Sequence, residues 1–248
     1  PAFTFAGGPL LKRIYRDADA VITYGPHVTE FVLTFGARAV SEAPQAVDLD
    51  FWSAEATEPE RLAPFTALAV GRSARYKGEP ELLEAWRRSG IGPPTGSLGL
   101  VGTRAPAADQ LPAGVEALGY ASHERLRNLY AGADVLVMAA VETREAKEPW
   151  GLVANEAMAQ AVPVIATDAV GAAAGGLVRD EHTGIIVPAG DAEALAAAIQ
   201  RLAADRNLRQ RLGQAARDHV RAYSHEAWAA GVAHGLRQAG CSRSSREV

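Results

Sequence analysis

Cysteine is nearly absent from this chain, which has one such residue, Cys241, among its 248. A single thiol excludes an internal disulfide and fits a reducing compartment. Long hydrophobic runs are lacking too, because no apolar stretch approaches the roughly 18 residues of a membrane-spanning helix. The first residues have neither the basic segment and apolar core of a signal peptide nor an initiator methionine. We therefore predict no transmembrane segment, and we expect the chain to begin inside a longer protein.

An excess of positive charge is also missing. Lys and Arg total 25 against 29 for Asp and Glu, which gives a formal net charge of −4. Because nucleic-acid-binding domains depend on a basic surface, this balance does not indicate a nucleic-acid partner. The six histidines show no metal-ligand spacing, and His27 is interpreted as a surface residue at a helix start. The remaining composition, 48% hydrophobic and 22% charged, is that of an ordinary globular protein.

Short apolar runs alternate with amphipathic stretches from residue 65 onward. This alternation is typical of an α/β fold with a parallel sheet covered by helices on both faces. The predicted strands are 65–71, 97–102, 115–119, 134–140, 163–168 and 183–188. The predicted helices are 80–90, 122–133, 152–161, 191–204 (with Asp191 as N-cap), 207–222 and 225–238. Such sheets bind ligands at the carboxyl ends of their strands.

The first 50 residues follow another pattern. They predict a helix, a strand at 19–24, a second helix, a short strand within ARAVSE and then a connector. Two strands make a poor sheet by themselves. We therefore expect this segment to be the end of a second, truncated α/β domain.

Two basic residues follow the first strand of the large sheet, in AVGRSARYKG. The strand ends at Val70, Gly71 permits a tight turn, and Arg72 and Lys77 come next. A forked arginine and a lysine point charge at a strand end would clamp an anion. A solvated loop explains this stretch equally well when it is taken alone.

Two glutamates, Glu148 and Glu156, bracket the stretch EPWGLVANE. Pro149 suits the first turn of a helix and Gly151 allows close approach to the backbone, so a helix from about 151 to 161 would aim free N–H groups at an anion. Glu156, roughly 6 Å inside that helix, would accept hydrogen bonds from a ribose, and Glu148 from a hexose. This geometry predicts a nucleotide sugar. A helix-start carboxylate beside an unrelated surface glutamate is the alternative, and spacing alone favours it.

An ordered set of motifs resembles the retaining glycosyltransferase family 4, of the GT-B fold. EPWGLVANEAMAQAVPVIATDAVG is similar to the donor-site signature E-x7-E followed by E-A-M-A-x-G-x-P-V-I-A, and VGRSARYKGEPELLEAW is similar to the V-G-R…K-G segment. LGYASHERLRNLYAGADVLVMAA, the run from residue 180 to 220, and APQAVDLDFW resemble the remaining segments, so that the resemblance covers residues 1–240. It implies transfer of a sugar, with anomeric retention, from a UDP- or GDP-linked donor to an unknown glycan or lipid-linked acceptor. It also implies a role in polysaccharide biosynthesis, in the cytoplasm or peripheral at the membrane.

The resemblance implies a role for each matching residue. Arg72 and Lys77 would neutralise the diphosphate, and Glu148 would contact the hydroxyls of the donor sugar without acting as nucleophile. These three form the expected catalytic set. The expected donor-binding residues are Gly71, Gly102, Tyr120, Ala121, Gly151, Leu152, Val153 and Glu156. The loop 171–175 would lie near the sugar.

The sequence departs from the family in two places. Ala161 stands where the family usually has glycine, which costs little if the backbone is not left-handed. The stretch AAAGGLV lacks the acidic residue that often precedes its Leu-Val. A third stretch, DLD (48–50), offers two carboxylates for Mg²⁺. Because Arg72 and Lys77 already supply the positive field for a leaving diphosphate, we expect a site without metal or cofactor.

The resemblance also implies a domain plan. Residues 1–50 would be the remnant of the acceptor domain with its linker, 51–224 the nucleotide-sugar domain, 225–240 a crossover helix and 241–248 a disordered tail. Partial exposure is expected for the apolar residues of that helix, Trp228, Val232 and Leu236. Without an acceptor domain, the chain alone is expected to be inactive. Two alternatives stay open: a non-catalytic nucleotide-sugar binding module, and a nucleotide-sugar 2-epimerase of the same fold.

Overall fold

The structure is a computed structural model that describes residues 2–72, 74–102, 111–144 and 146–244. The chain divides into two compact units, one of Val47–Arg221 and a smaller one that combines Pro1–Ala46 with Ala222–Val248. The smaller unit contains helix α1 (Ala2–Asp17), strand β1 (Val21–Thr23), helix α2 (Pro26–Thr34) and strand β2 (Val40–Glu42). β1 pairs in parallel with β2, which confirms both strands predicted in the first 50 residues.

The larger unit is built on a six-stranded sheet in which every pairing is parallel. Its strands are β3 (Phe65–Val70), β4 (Gly96–Val101), β5 (Val115–Gly119), β6 (Val135–Met138), β7 (Val164–Thr167) and β8 (Gly184–Val187). Their order across the sheet is β5-β4-β3-β6-β7-β8. All six predicted strands are therefore confirmed. All six residues of β4 are buried, as expected of a strand covered on both faces.

Seven helices of the larger unit lie within the described residues. They are α3 (Leu49–Ser53), α4 (Glu79–Ser89), α5 (His123–Gly132), α6 (Val153–Ala159), α7 (Gly171–Ala174), α8 (Ala192–Ala204) and α9 (Arg206–Val220). α4 packs against α8, while α3 and α5 pack against α6. Asp191 caps α8 as predicted, accepting from the N–H groups of Glu193 and Ala194 at 3.0 and 2.9 Å.

Asp48, the first residue of the DLD stretch, has a structural role. Its carboxylate caps α3 by accepting a hydrogen bond from the N–H of Phe51 at 3.0 Å. Within the described residues, no group of three or more His, Cys, Asp and Glu side chains could hold a metal ion.

The helix predicted at 151–161 is shorter than expected. α6 begins at Val153 and ends at Ala159, so Pro149 lies before the helix and not in its first turn. Two features exclude the residues before Val153 from the helix: Glu148 forms a parallel bridge with Val170, and Gly151 has a φ of +90°. The prediction for Pro149 is therefore wrong, because the bridge outweighs its local preference.

Ala161, just after α6, has a φ of +59°, which is left-handed. The expectation that a methyl group costs little here depended on a backbone that is not left-handed, and that condition is not met. An L-residue with a Cβ atom is strained in this conformation by about 1–2 kcal/mol. The glycine that the family usually has at this position therefore has a physical reason.

The last helix of the chain, α10, runs from His225 to Ser244 and belongs to the smaller unit. Within that unit the hydroxyl of Ser41 donates to the carbonyl of Gly231 at 2.7 Å. Trp228 and Leu236 are 49% and 63% exposed, as predicted. The tail expected to be disordered from residue 241 is helical as far as Ser244, since a helix closes its backbone hydrogen bonds internally even where its side chains are polar. Residues 245–248 lie outside the described residues.

None of the helices in the described part of the chain combines the length and the apolar character that a membrane crossing requires.

Candidate functional site

A cleft opens at the carboxyl ends of the central strands. The chain leaves β3 toward β4 on one side and later returns to β6 on the other, so β3 and β6 flank the point where the strand order reverses. Open α/β sheets bind ligands at such a point. The polar and glycine residues that line the cleft are Gly71, Arg72, Lys77, Glu79 and Glu148.

The turn after β3 brings Lys77 to this cleft. Residues Arg75–Lys77 form a single 3₁₀ turn, and the N–H of Val141 donates to the carbonyl of Tyr76 at 2.9 Å. Gly78 follows with a φ of +70°, and a Cβ atom there would overlap the carbonyl oxygen of Ala139. The backbone of the turn therefore lies directly on the chain that leaves β6.

Lys77 and Glu148 form an ion pair inside the cleft. The Glu148 side chain is 7% exposed and that of Lys77 is 25% exposed, so the carboxylate is the more deeply buried partner. Arg72 lines the same cleft and is exposed. The sequence analysis gave Lys77 and Glu148 to separate parts of the ligand, and the structure brings them into direct contact.

The first turn of α7 holds the backbone of Glu148 and Trp150 by two hydrogen bonds. The carbonyl of Glu148 accepts from the N–H of Gly171 at 3.0 Å, and the carbonyl of Trp150 accepts from the N–H of Ala172 at 2.9 Å. Gly171 and Gly175, which were expected near a bound sugar, are both buried, and a Cβ atom at either would overlap residues 149–150. This part of the chain supports the loop that carries Glu148.

Trp150 and Asn155 form a hydrogen bond that sequence reasoning missed. The indole Nε1 donates to the Oδ1 atom of Asn155 at 2.9 Å, and the two residues are 3% and 0% exposed. The available signal was an asparagine next to apolar residues at a helix start, five residues after a tryptophan. Buried amides need hydrogen-bond partners, and that requirement could have indicated the pair.

Glu156 does not line the cleft with Lys77, and it belongs to a cluster formed by α5 and α6. Its carboxylate accepts from the hydroxyl of Tyr130 at 3.0 Å. Burial raises the pKa of Glu156, while the Tyr130 hydrogen bond and the charge of His123 oppose that rise. Burial, with the nearby charge of Glu156, raises the pKa of the Tyr130 hydroxyl well above its ordinary value.

The other predicted donor-binding residues lie at the same edge of the sheet. Gly102 follows β4, and its N–H donates to the carbonyl of Gly119 at 2.7 Å. Tyr120 and Ala121 follow β5, and they are 86% and 8% exposed. Leu152 and Val153 stand at the start of α6, where the first N–H groups have no intrahelical acceptor.

The sequence of this chain is similar to those of known proteins. Residues 50–219 match the family described as glycosyl transferases group 1. D-inositol 3-phosphate glycosyltransferase of Saccharomonospora viridis is 32% identical over 225 residues, which cover 86% of this chain and 49% of that protein. This chain thus spans about half the length of that curated relative.

Solved structures show the same architecture. Sucrose-phosphate synthase from Thermosynechococcus elongatus superposes with a TM-score of 0.73 at 32% identity, over 93% of this chain and 61% of that one. Anabaena Alr3699/HepE, solved in complex with UDP, superposes with a TM-score of 0.73 at 20% identity, over 89% of this chain and 64% of that one. The second likeness is one of fold. The parallel sheet flanked by helices matches the GT-B type that the resemblance implied.

Proposed function

The chain belongs to the glycosyl transferases group 1 family, and on this premise we propose that it acts in a retaining glycosyltransferase of family 4. The donor is a nucleoside diphosphate sugar and the acceptor is a glycan or a lipid-linked molecule. The name of the Saccharomonospora relative supports glycosyl transfer, and the UDP complex of the Anabaena protein supports a UDP-linked donor.

The observation that carries the proposal is the grouping of Arg72, Lys77 and Glu148 in one cleft at the reversal of strand order. When the bond between sugar and phosphate breaks, negative charge develops on the leaving diphosphate. A cleft with Arg72 and Lys77 at that position stabilises this charge without a metal ion. The carboxylate of Glu148 accepts from hydroxyl groups of the sugar, while Lys77 stands between sugar and diphosphate.

The nucleoside extends from the diphosphate along the carboxyl edge of the sheet. In this proposal the amides of Gly151, Leu152 and Val153 face phosphate oxygens, and Glu156 accepts from the ribose. Its contact with Tyr130 occupies one carboxylate oxygen and leaves the other for the diol. The base lies near Gly102, Tyr120 and Ala121, where the exposed ring of Tyr120 provides a stacking surface.

Isothermal titration calorimetry with UDP and GDP tests the nucleotide site. We expect Arg72→Ala to weaken binding of the preferred nucleotide about 10-fold or more, because a charge-assisted hydrogen bond contributes about 1.5–3 kcal/mol. Arg87→Ala is the matched control, since Arg87 is an exposed arginine that pairs with Glu84 on α4. Equal affinities in the native chain and in Arg72→Ala would remove the diphosphate assignment.

A further inference from the structure

We infer that the hydrogen bond between Trp150 and Asn155 positions the carboxylate of Glu148 for the donor sugar. The two residues are thus positioning residues for sugar recognition and act through the loop that joins them to Glu148. This inference rests on the proposed function, because the sugar is the ligand of that function.

The loop is held against α7 by its backbone and by the ring of Trp150. Carbonyl groups of Glu148 and Trp150 accept from the N–H groups of Gly171 and Ala172. The ring lies where a side chain of Gly175 would be, because a Cβ atom there would overlap it. These contacts fix the backbone of the loop and hold the ring of Trp150 against α7.

Asn155 adds a directional contact to this packing. It lies within α6 with 0% exposure, a place where burial of an amide is costly and where asparagine is a weaker helix former than leucine. Stability alone does not require this polar pair, because apolar residues at both positions would be about as stable. What asparagine adds is an acceptor at 2.9 Å from the indole nitrogen, and this fixes the ring relative to α6.

Orientation of this ring matters because Trp150 stands between two predicted ligand contacts. Glu148 precedes it by two residues and Gly151 follows it directly. A Cβ atom added to Gly151 would come within 3.6 Å of the Cγ atom of Glu148, so the backbone of Gly151 lies near the side chain of Glu148. We therefore expect the orientation of the ring to affect the carboxylate before it and the amide after it.

The test compares the affinities of UDP and UDP-glucose, and of GDP and GDP-mannose, by calorimetry. Asn155→Leu leaves a buried indole N–H without its acceptor and is expected to lower stability in urea. The double variant Trp150→Phe with Asn155→Leu removes both polar groups, and its stability should recover. In both variants we expect the Kd of the nucleotide sugar to rise about tenfold more than the Kd of the nucleotide alone.

Trp86→Phe is the matched control. Trp86 is also buried, and its indole donates to the carbonyl of Ala113 at 3.1 Å, away from the loop. This variant should lose stability without changing the ratio of the two Kd values. If the double variant keeps the native ratio, the Trp150–Asn155 bond is structural only and the inference is refuted. If the native chain binds none of the four ligands, the proposed function itself fails and the inference falls with it.

Discussion

The ion pair between Lys77 and Glu148 allows a quantitative prediction. Lys77→Met keeps most of the side chain's length but leaves a carboxylate that is 7% exposed without its positive partner. Removal of one partner from a fully buried pair costs about 3–5 kcal/mol. Because Lys77 is 25% exposed, water reaches the pair, and we expect a loss of about 2–3 kcal/mol in the free energy of unfolding.

The reverse change is expected to be milder. Glu148→Gln leaves an ammonium group on a flexible chain that can turn toward solvent, so we expect a loss of about 1 kcal/mol or less. The double variant has no unpaired buried charge and should regain most of the stability lost in Lys77→Met. Urea denaturation of the four proteins measures the coupling. The exposed pair of Arg88 and Glu84 on α4 is the control, with an expected coupling of about 0.5 kcal/mol.

Calorimetry with UDP completes this test. Lys77→Met should weaken UDP binding about 10- to 150-fold, since a charge-assisted hydrogen bond to phosphate is lost. Glu148→Gln should leave UDP affinity unchanged or increase it, because Lys77 no longer has a competing carboxylate. It should weaken UDP-glucose binding relative to UDP. A Lys77→Met variant with native stability and native UDP affinity would show that the pair has neither role.

Three further predictions concern strain, pH and the two partly buried ion pairs of Asp134. Ala161→Gly should stabilise the chain by about 0.5–1 kcal/mol, because relief of about 1–2 kcal/mol of left-handed strain exceeds the added entropy of the unfolded chain. Thermal unfolding should shift upward by about 1–4 °C, and a downward shift would contradict this account. Burial raises the pKa of Glu156 above its ordinary value of 4.5, so the native chain loses stability as the pH rises above 4.5 and the buried carboxyl must ionise. Glu156→Gln should therefore be more stable than the native chain at pH 8 but not at pH 4. The same variant should bind UDP more weakly. Urea unfolding of both proteins between pH 4 and pH 8 measures this difference in stability. A difference that does not change with pH would contradict the raised pKa of Glu156. Asp134→Asn weakens the ion pairs with Arg61 at 2.6 Å and with Arg209 at 3.2 Å, and it should lower the free energy of unfolding by about 2–3 kcal/mol in the same assay. An unchanged free energy of unfolding would show that the two ion pairs do not contribute to stability.

A fourth prediction concerns turnover. The 248-residue chain alone should bind UDP without transferring sugar, because its smaller unit has a sheet of two strands within the described residues and provides little surface for an acceptor. Positioning of reactants can contribute about 7–11 kcal/mol to lowering a barrier. The measurement is transfer of labelled sugar by this chain beside a longer homologue. Turnover equal to that of the homologue would show that the first 50 residues complete a working site.

The sheet was predictable because its strands are buried on both faces. Runs such as Phe65–Val70 and Val135–Met138 are almost wholly apolar, and amphipathic helices separate them along the chain. The start of α6 was not predictable in the same way. Pro149 prefers a first helical turn, but the bridge between Glu148 and Val170 joins segments that no local pattern connects.

In the candidate site, too, some features could be predicted from the local sequence and others could not. Arg72 and Lys77 could be placed from the sequence, because side chains just after a parallel strand come to the ligand edge of the sheet. Their arrangement could not, since Lys77 and Glu148 meet only when β3 and β6 lie side by side. The resemblance to a family also identified Ala161 as unusual, but only the backbone shows why glycine suits that position.

The contact between Gly78 and the carbonyl of Ala139 limits how this scaffold can change. No side chain separates the turn that carries Lys77 from the chain leaving β6, so the width of the cleft is fixed where two backbones touch. Side-chain substitutions cannot tune that width in small steps, and any residue larger than glycine at this position would force the cleft open. We therefore expect engineered changes of donor preference to succeed at the rim, around Tyr120 and Leu152, and to fail at this contact.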